Sequence, residues 1–229
     1  LSVEAGGTID GVSGTSNVTF IDDGDPNTHV TMSVEGSMDA NLEFQVGNGS
    51  EVRLASNIDL ANPSNELKVL AGGILDFNGH YVYGGGNFRM EGGAEIRITS
   101  PDGVSANNTK GNIRNTDVID LEPTGGAIFR YTGDAAQQTG SLLPSDDDLD
   151  LIIQNGSTGG VTLTQTTNIQ NSGSLQILQG RFIETNTAYI DGDGDLTIGD
   201  DPADEAIYET QANSNTGNSN TFVPRLIGS

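Results

Sequence analysis

The sequence predicts an all-β protein with the fold of a right-handed parallel β-helix, a three-faced solenoid with about 21–23 residues per coil. Short runs of Val, Ile, Leu and Thr alternate with polar residues between Gly, Asn and Asp, a pattern typical of short strands joined by turns. Apolar residues at helical spacing are almost absent. A spaced apolar pattern also recurs along the chain, and internal repetition of this kind indicates a solenoid.

The repeating pattern is apolar-x-apolar-x-x-Gly-x-x-apolar-x-apolar, and its clearest copies follow one another at offsets of 23 and 21 residues. Each apolar-x-apolar pair predicts a short strand with both side chains on one face, because side chains alternate along a strand. The central Gly predicts a tight turn. The copies are Phe44, Val46, Gly49, Val52, Leu54; Leu67, Val69, Gly72, Leu75, Phe77; Phe88, Met90, Gly93, Ile96, Ile98; Leu175, Ile177, Gly180, Ile183, Thr185; and Leu1, Val3, Gly6, Ile9.

A third short strand completes each coil in this prediction. It contains Tyr81 and Tyr83 in one coil, and Ala188 and Ile190 in another. A single coil cannot bury its inward side chains, so successive coils must stack about 4.8 Å apart and pair strand on strand. Stacking predicts two inward columns, one of Phe44, Leu67 and Phe88 and one of Val52, Leu75 and Ile96.

The solenoid is predicted to occupy residues 1–199, and the alternative is an antiparallel β-sandwich with Gly-rich turns. A sandwich gives no reason for five positions to recur at a fixed offset. An irregular insertion around residues 100–150 is expected to bulge from one side of the solenoid, where function often lies. Residues 200–229 contain no clear coil, and we interpret them as a cap or a linker to a following module.

The charge and composition of the chain restrict its partners. Nine Lys and Arg against 32 Asp and Glu give a formal net charge of −23. A surface this negative repels nucleic-acid phosphates and anionic lipids, which leaves cations and neutral glycans as candidate partners. The absence of cysteine excludes disulfides, thiolate metal sites and a cysteine nucleophile. No apolar stretch approaches the roughly 20 residues that cross a bilayer, so no membrane insertion is predicted.

Alternating Asp and Gly residues in Asp191-Gly-Asp-Gly-Asp195 form the first candidate metal site, with Ca²⁺ as the expected ion. Ca²⁺ takes about six to eight oxygen ligands, and carboxylates beside flexible glycines can converge on it. The segment is not an EF-hand, because Leu196 stands where that motif requires Gly. The alternative is a solvated turn at the corner equivalent to residues 84–86. The first candidate set is Asp191, Asp193, Asp195, Asp200 and Asp201, and the second is Asp23, Asp25 and Asn27.

Tyr81 and Tyr83 are candidate glycan-binding residues, because they share one face of their strand and present aromatic rings on which sugars can stack. The alternative is inward packing of both rings against neighbouring coils. The solenoid pattern favours this second interpretation.

Parallel β-helices include polysaccharide lyases and hydrolases, so a carbohydrate-active enzyme is an alternative function. Residues 115–117 (Asn-Thr-Asp), followed by the Asp pair at 146–147, resemble the first two motifs of the polygalacturonase family. That family's Gly-His-Gly motif is missing, because His29 and His80 both precede these segments, and its Arg-Ile-Lys motif is missing, because no Arg-x-Lys follows them. No catalytic residue is therefore predicted, and an enzyme would require an acidic pair in a groove beside a basic side chain.

Three groups of segments share a longer composite pattern over roughly residues 40–200. They are Leu67-Lys-Val-Leu-Ala-Gly-Gly-Ile-Leu-Asp-Phe-Asn-Gly-His80 with Gly84-Gly-Gly-Asn-Phe88, Tyr131-Thr-Gly-Asp-Ala-Ala-Gln-Gln-Thr-Gly140 with Leu143-Pro144, and Leu151-Ile-Ile-Gln-Asn-Gly156 with Val161-Thr-Leu163. This pattern resembles the G-x-L-D-L-N-G-x-x-L-x-G-x-G-x-F coils of large repetitive surface proteins of Bacteroidetes. The resemblance implies export by the type IX route and a location at the cell surface or in the medium. It also implies roles in adhesion and gliding motility.

These observations lead us to expect a non-catalytic structural and adhesive module of a large secreted surface protein. The sequence starts at Leu1 without a methionine, and we interpret it as a segment or a processed form of that protein. Open β-helix ends expose unpaired strand edges, so neighbouring modules or further copies of the chain are expected partners, and end-to-end pairing predicts an oligomer or fibre. A glycan-binding module is the second expectation, with surface glycans as partners, and a carbohydrate-active enzyme is the third.

Overall fold

A computed structural model of the chain contains no helix among the residues that it describes. These are residues 2–3, 8–9, 16–21, 29–34, 37–38, 41–105, 107, 109–115, 117–121, 125–145, 148–199 and 205–210. Their strands stack as a parallel β-solenoid of about seven turns. The predicted fold class is confirmed.

The solenoid is built from short strands, and among the described residues only β21 is longer than five residues. In chain order they are β1 (Ser2–Val3), β2 (Thr8–Ile9), β3 (Ser16–Phe20), β4 (Val30–Val34), β5 (Ser37–Met38), β6 (Leu42–Val46), β7 (Glu51–Leu54), β8 (Ile58–Asp59), β9 (Glu66–Val69), β10 (Ile74–Asp76), β11 (Val82–Gly84), β12 (Asn87–Met90), β13 (Glu95–Ile98), β14 (Ile113–Asn115), β15 (Ile119–Asp120), β16 (Ile128–Tyr131), β17 (Gln137–Gln138), β18 (Asp150–Gln154), β19 (Val161–Thr162), β20 (Thr167–Asn168), β21 (Ser174–Ile183), β22 (Ile190–Asp191), β23 (Asp195–Ile198) and β24 (Ala206–Glu209).

The strands form three faces that repeat from coil to coil. The long sheet is the largest face and contains β1, β4, β7, β10, β13, β16, β18, β21 and β23 in spatial order. The second face contains β3, β6, β9, β12 and β15, and the third contains β8, β11 and β14. In the later coils, β17, β19 and β24 pair in the face that follows the long sheet, together with the second half of β21.

Both predicted inward columns are confirmed by the register of the strands. The register stacks Phe44, Leu67 and Phe88 on the second face and Val52, Leu75 and Ile96 on the long sheet. All six side chains are fully buried. Because equivalent apolar residues lie directly above one another, the core is continuous along the solenoid axis.

The first and last copies of the repeat lie on a different face from the one that the pattern predicts. Leu175 pairs with Leu151, and Val3 pairs with Val34, so both lie on the long sheet. The repeat pattern aligns them with residues of the second face, and this detail of the prediction is wrong. The physical reason is that inward pairs followed by a turn with a positive-φ Gly occur at more than one corner of a coil. Spacing identifies a coil but does not identify the corner.

The coil that contains the insertion is longer than its neighbours. Glu95 pairs with Ile128, 33 residues later, whereas Ile128 pairs with Asp150 after 22 residues. Part of the extra length lies inside the stack, since the amide of Val104 donates to the carbonyl oxygen of Thr139 at 3.0 Å. Ile113 pairs with Val82 of the preceding coil. The insertion therefore supplies strand partners on both sides and does not simply bulge outward.

A buried amide side chain holds this insertion in place. Asn112 Oδ1 accepts hydrogen bonds from the amides of Thr99 and Ser100, at 3.1 and 2.8 Å. Its Nδ2 donates to the carbonyl oxygen of His80 at 2.7 Å. Because buried polar groups are costly unless they are paired, these bonds fix where the chain leaves and re-enters the solenoid.

Candidate functional site: a polar groove on the long sheet

The outward side chains of the long sheet form a ladder of ion pairs. The register places Arg53, Asp76, Arg97 and Arg130 in one outward column over four successive coils. The pairs are Arg53 Nε to Asp76 Oδ2 at 3.0 Å, Arg53 Nη2 to Glu51 Oε1 at 3.4 Å, Arg97 Nη1 to Glu51 Oε2 at 2.9 Å, Arg97 Nε to Glu95 Oε1 at 3.0 Å, and Arg130 Nε to Glu95 Oε1 at 2.8 Å. These pairs join residues of successive coils, so the spacing of residues along the chain does not predict the ladder.

Glu95 lies at the centre of this ladder and is only 7% exposed. Burial by itself raises the pKa of the Glu95 carboxyl, but the hydrogen bonds and charges of Arg130 and Arg97 outweigh burial and lower this pKa overall. Burial likewise acts to lower the pKa of Arg97, while Glu95 and Glu51 raise it overall. The ladder is therefore a fixed array of charged groups, which stabilise one another in the ionised state.

A polar groove runs beside the ladder along the solenoid axis. Two open cavities, of about 630 and 510 Å³, share Asp76, Thr132 and Asp134 as lining residues. Arg53 lines one end of the groove, on β7, and Gln179 lines the other end, on β21. The groove spans six neighbouring strands of the long sheet, from β7 to β21. Because neighbouring strands lie about 4.8 Å apart, the groove is about 24 Å long.

One wall of the groove is the turn after β16, which carries Thr132 and Asp134, and two buried amides hold this turn. Gln137 Oε1 accepts from the amide of Gly133 at 3.0 Å, and Gln137 Nε2 donates to the carbonyl oxygen of Ile98 at 3.0 Å. Asn155 Nδ2 donates to Gln137 Oε1 at 2.7 Å and to the carbonyl oxygen of Ala135 at 2.9 Å. The wall is therefore preorganised by the interior of the solenoid.

The structure places the first candidate metal site at a corner between two faces. Asp191 ends β22, Asp193 is exposed in the turn, and Asp195 begins β23 on the long sheet. Asp195 pairs with Ser174, so this corner leads into the long sheet, like the one at Gly73, and is not equivalent to residues 84–86 as predicted.

Asp191 Oδ1 accepts a hydrogen bond from the amide of Gly192 at 2.9 Å. Among the described residues, no three carboxylate or imidazole side chains converge to hold a metal ion. Asp200 and Asp201 of the first candidate set lie outside the described residues, as do Asp23, Asp25 and Asn27 of the second set. Ca²⁺ binding stays a prediction.

Tyr81 and Tyr83 both face outward, because Val82 between them is the inward, fully buried residue of β11. The predicted shared face is therefore observed, but the favoured inward packing of both rings is wrong. Tyr83 is 36% exposed, and its ring lies edge-on to that of Tyr81 with centroids 5.6 Å apart. The guanidinium of Arg114 lies 3.6 Å above the centroid of the Tyr81 ring. One face of Tyr81 is thus covered by a cation, which leaves Tyr83 as the more accessible ring.

The described residues of the motif that resembles polygalacturonases, Asn115 and Asp117, do not line the groove. Asn115 lies on β14 and Asp117 is exposed beyond it, while residues 116, 146 and 147 lie outside the described residues. The acidic residues that do line the groove are Asp76 and Asp134. Sequence reasoning missed both, and the available signal was the recurrence of outward charged residues at equivalent positions of successive coils.

Comparison with known proteins adds no relative to this description. No family model matches the chain, and no curated protein or solved structure is significantly similar to it. Among the described residues, no helix has the length and apolar character needed to cross a bilayer.

Proposed function

We propose that this chain is a non-catalytic structural and adhesive module of a large secreted bacterial surface protein. The observation that carries the proposal is the long sheet, in which nine strands of the described residues stack in one parallel order. At about 4.8 Å per coil, this sheet extends roughly 38 Å along the axis. A solenoid whose coils contact their neighbours throughout is well suited to hold a binding surface at a distance from the cell.

The proposed setting rests on the resemblance of residues 40–200 to repetitive surface proteins of Bacteroidetes. That resemblance supports an extracellular or cell-surface location and export by the type IX route. A formal net charge of −23 is compatible with this setting, since a strongly charged surface keeps an exposed module soluble.

The end of the solenoid supports the proposed assembly with further modules or copies. In the described part of the chain, β23 and β24 each pair with β21 on one side only. No described strand pairs with the other edge of β23 or β24, and the backbone N–H and C=O groups of such an edge can pair with a further strand. The next module of the same polypeptide, or a second copy of the chain, has the matching chemistry, and repeated pairing would build a stalk or fibre.

A carbohydrate-active enzyme is the second candidate, favoured by Asp76 and Asp134 in one groove with Arg97 and Arg130. Against catalysis, both oxygens of Asp76 already accept hydrogen bonds. Arg53 Nε donates to Oδ2 at 3.0 Å, and the amide of Asn78 donates to Oδ1 at 2.8 Å. A carboxylate whose two oxygens both accept hydrogen bonds from the protein is poorly placed to exchange a proton with a substrate.

Surface labelling of intact cells tests the proposed function. We expect antibodies raised against the purified chain to label unpermeabilised cells that produce the protein, and external protease to remove this label. A periplasmic protein of the same cells, labelled only after permeabilisation, is the control. Label that appears only in permeabilised cells would contradict the proposal.

A further inference from the structure

We propose that the groove on the long sheet binds neutral oligosaccharides lengthwise, parallel to the solenoid axis. This inference deepens the adhesive part of the proposed function and rests on it. It assigns a glycan site that is distinct from Tyr81 and Tyr83, since neither tyrosine lines the groove.

The shape of the groove suits an extended chain molecule. Its lining residues come from six successive coils, and each coil advances the surface by about 4.8 Å. A repeating polymer can therefore meet a lining side chain from each coil at regular intervals. Asp76, Thr132 and Asp134 line both cavities, so one ligand can pass from the first into the second without a break.

The chemistry of the lining suits hydroxyl groups. The Asp134 carboxylate and the Gln179 amide each present hydrogen-bonding groups in a planar pair, and Gln154 adds its Nε2 donor beside Oε1, which accepts from Arg130 Nη1 at 3.3 Å. Neighbouring sugar hydroxyls can each donate and accept, so they match such pairs. The ion pairs of Arg97 and Arg130 hold the floor rigid, and the buried amides of Gln137 and Asn155 hold the wall. A preorganised surface loses little entropy when it binds.

The charge of the groove favours a neutral ligand over an anionic one. Arg53, Arg97 and Arg130 are three of only nine basic residues in the chain, yet Asp76, Asp134, Glu51 and Glu95 offset them locally. No net positive field remains to attract a uronate or sulfated polymer against an overall charge of −23. A neutral glycan meets no such repulsion.

Calorimetric titration with four neutral hexasaccharides, namely cellohexaose, laminarihexaose, maltohexaose and mannohexaose, tests this proposal. The test variant combines Asp134→Ala with Gln179→Ala, two exposed positions in the groove. The matched control combines Asp117→Ala with Gln138→Ala, two exposed positions outside the groove lining. We expect at least one hexasaccharide to bind, the groove variant to bind it at least tenfold more weakly, and the control to bind it as the natural chain does.

Several outcomes would overturn the inference. They are no heat of binding with any of the four probes, equal affinity of the groove variant and the natural chain, or preferential binding of hexagalacturonate, the anionic comparison probe. Unfolding midpoints of both variants, measured in parallel, show that each is folded. Chromatography of the titrated sugars separates the two proposals, because cleavage would contradict the non-catalytic function while leaving the groove as a saccharide site.

Discussion

At the scale of single residues, the outward positions of the long sheet are linked by ion pairs between coils. Glu95 forms ion pairs with both Arg97 and Arg130. Its side chain is buried although it points away from the core. The alternation of charged and apolar residues predicts that these side chains point outward. It does not predict the pairing, because Arg130 lies 35 residues from Glu95 and reaches it only after two coils are in register.

Replacing Glu95 with Gln tests the stability of this ladder. We expect Glu95→Gln to lower the free energy of unfolding by about 1–3 kcal/mol at pH 7, because two arginines lose their charged partner. The folded state lowers the pKa of Glu95 below its ordinary value of 4.5, so its stabilising effect is present above that value. This effect is lost as the pH falls through the lowered pKa.

Urea unfolding at pH 7 and at pH 3 measures the effect. The difference between the natural chain and the Glu95→Gln variant is expected to shrink at the lower pH. Asp117→Asn is the control, since it removes one charge at an exposed position. A difference of the same size at both pH values would show that the ionised carboxylate does not hold the ladder together.

At the scale of elements, the corners of the coils decide how the strands are placed. β21 is ten residues long and continues from the long sheet into the next face by bending near Gly180, which has φ of +81°. A Cβ atom at this position would overlap the carbonyl oxygen of Asn155 in the preceding coil. The Gly therefore permits both the backbone conformation and the close approach of two coils.

Two Gly→Ala variants separate these two requirements. Gly93 has φ of +77°, and a Cβ there would meet no atom within 4 Å, so Gly93→Ala carries only the backbone cost of about 1–2 kcal/mol. We expect Gly180→Ala to lower the free energy of unfolding by more than about 3 kcal/mol, or to prevent folding, because steric overlap is added. Urea unfolding compares the two variants. Equal losses of unfolding free energy in the two variants would mean that the two coils move apart at position 180 without an energetic cost.

At the scale of the whole molecule, the net charge makes the stability of the fold depend on ionic strength. A formal charge of −23 on 229 residues makes the folded state repel itself, and any added salt relieves this repulsion. A specific effect of Ca²⁺ must therefore be separated from general screening. Of the predicted Ca²⁺ ligands, Asp191, Asp193 and Asp195 belong to the described residues. The remaining candidates are Asp200, Asp201, Asp23, Asp25 and Asn27, and they lie outside the described residues.

Thermal unfolding with Ca²⁺ and with a chelator, at fixed ionic strength, makes this separation. If the acidic corner binds Ca²⁺ as predicted, saturation about 100-fold above Kd adds about 2.7 kcal/mol, which raises the midpoint by roughly 5–10 °C. The paired substitution Asp191→Asn with Asp193→Asn is expected to abolish the rise, while Asp117→Asn preserves it. An unchanged midpoint would identify these acids as solvated turns.

The sequence by itself determined the kind of fold and the inward columns. Inward residues such as Phe44 and Leu75 must recur once per coil, because stacked strands bury equivalent positions together, and this periodicity is visible in one dimension. The tertiary structure decided the face on which each terminal coil lies, the outward direction of Tyr81, and the groove between Arg53 and Gln179. These features depend on which corner each Gly occupies and on contacts between coils 20 to 35 residues apart. Such contacts exist only once the register is set.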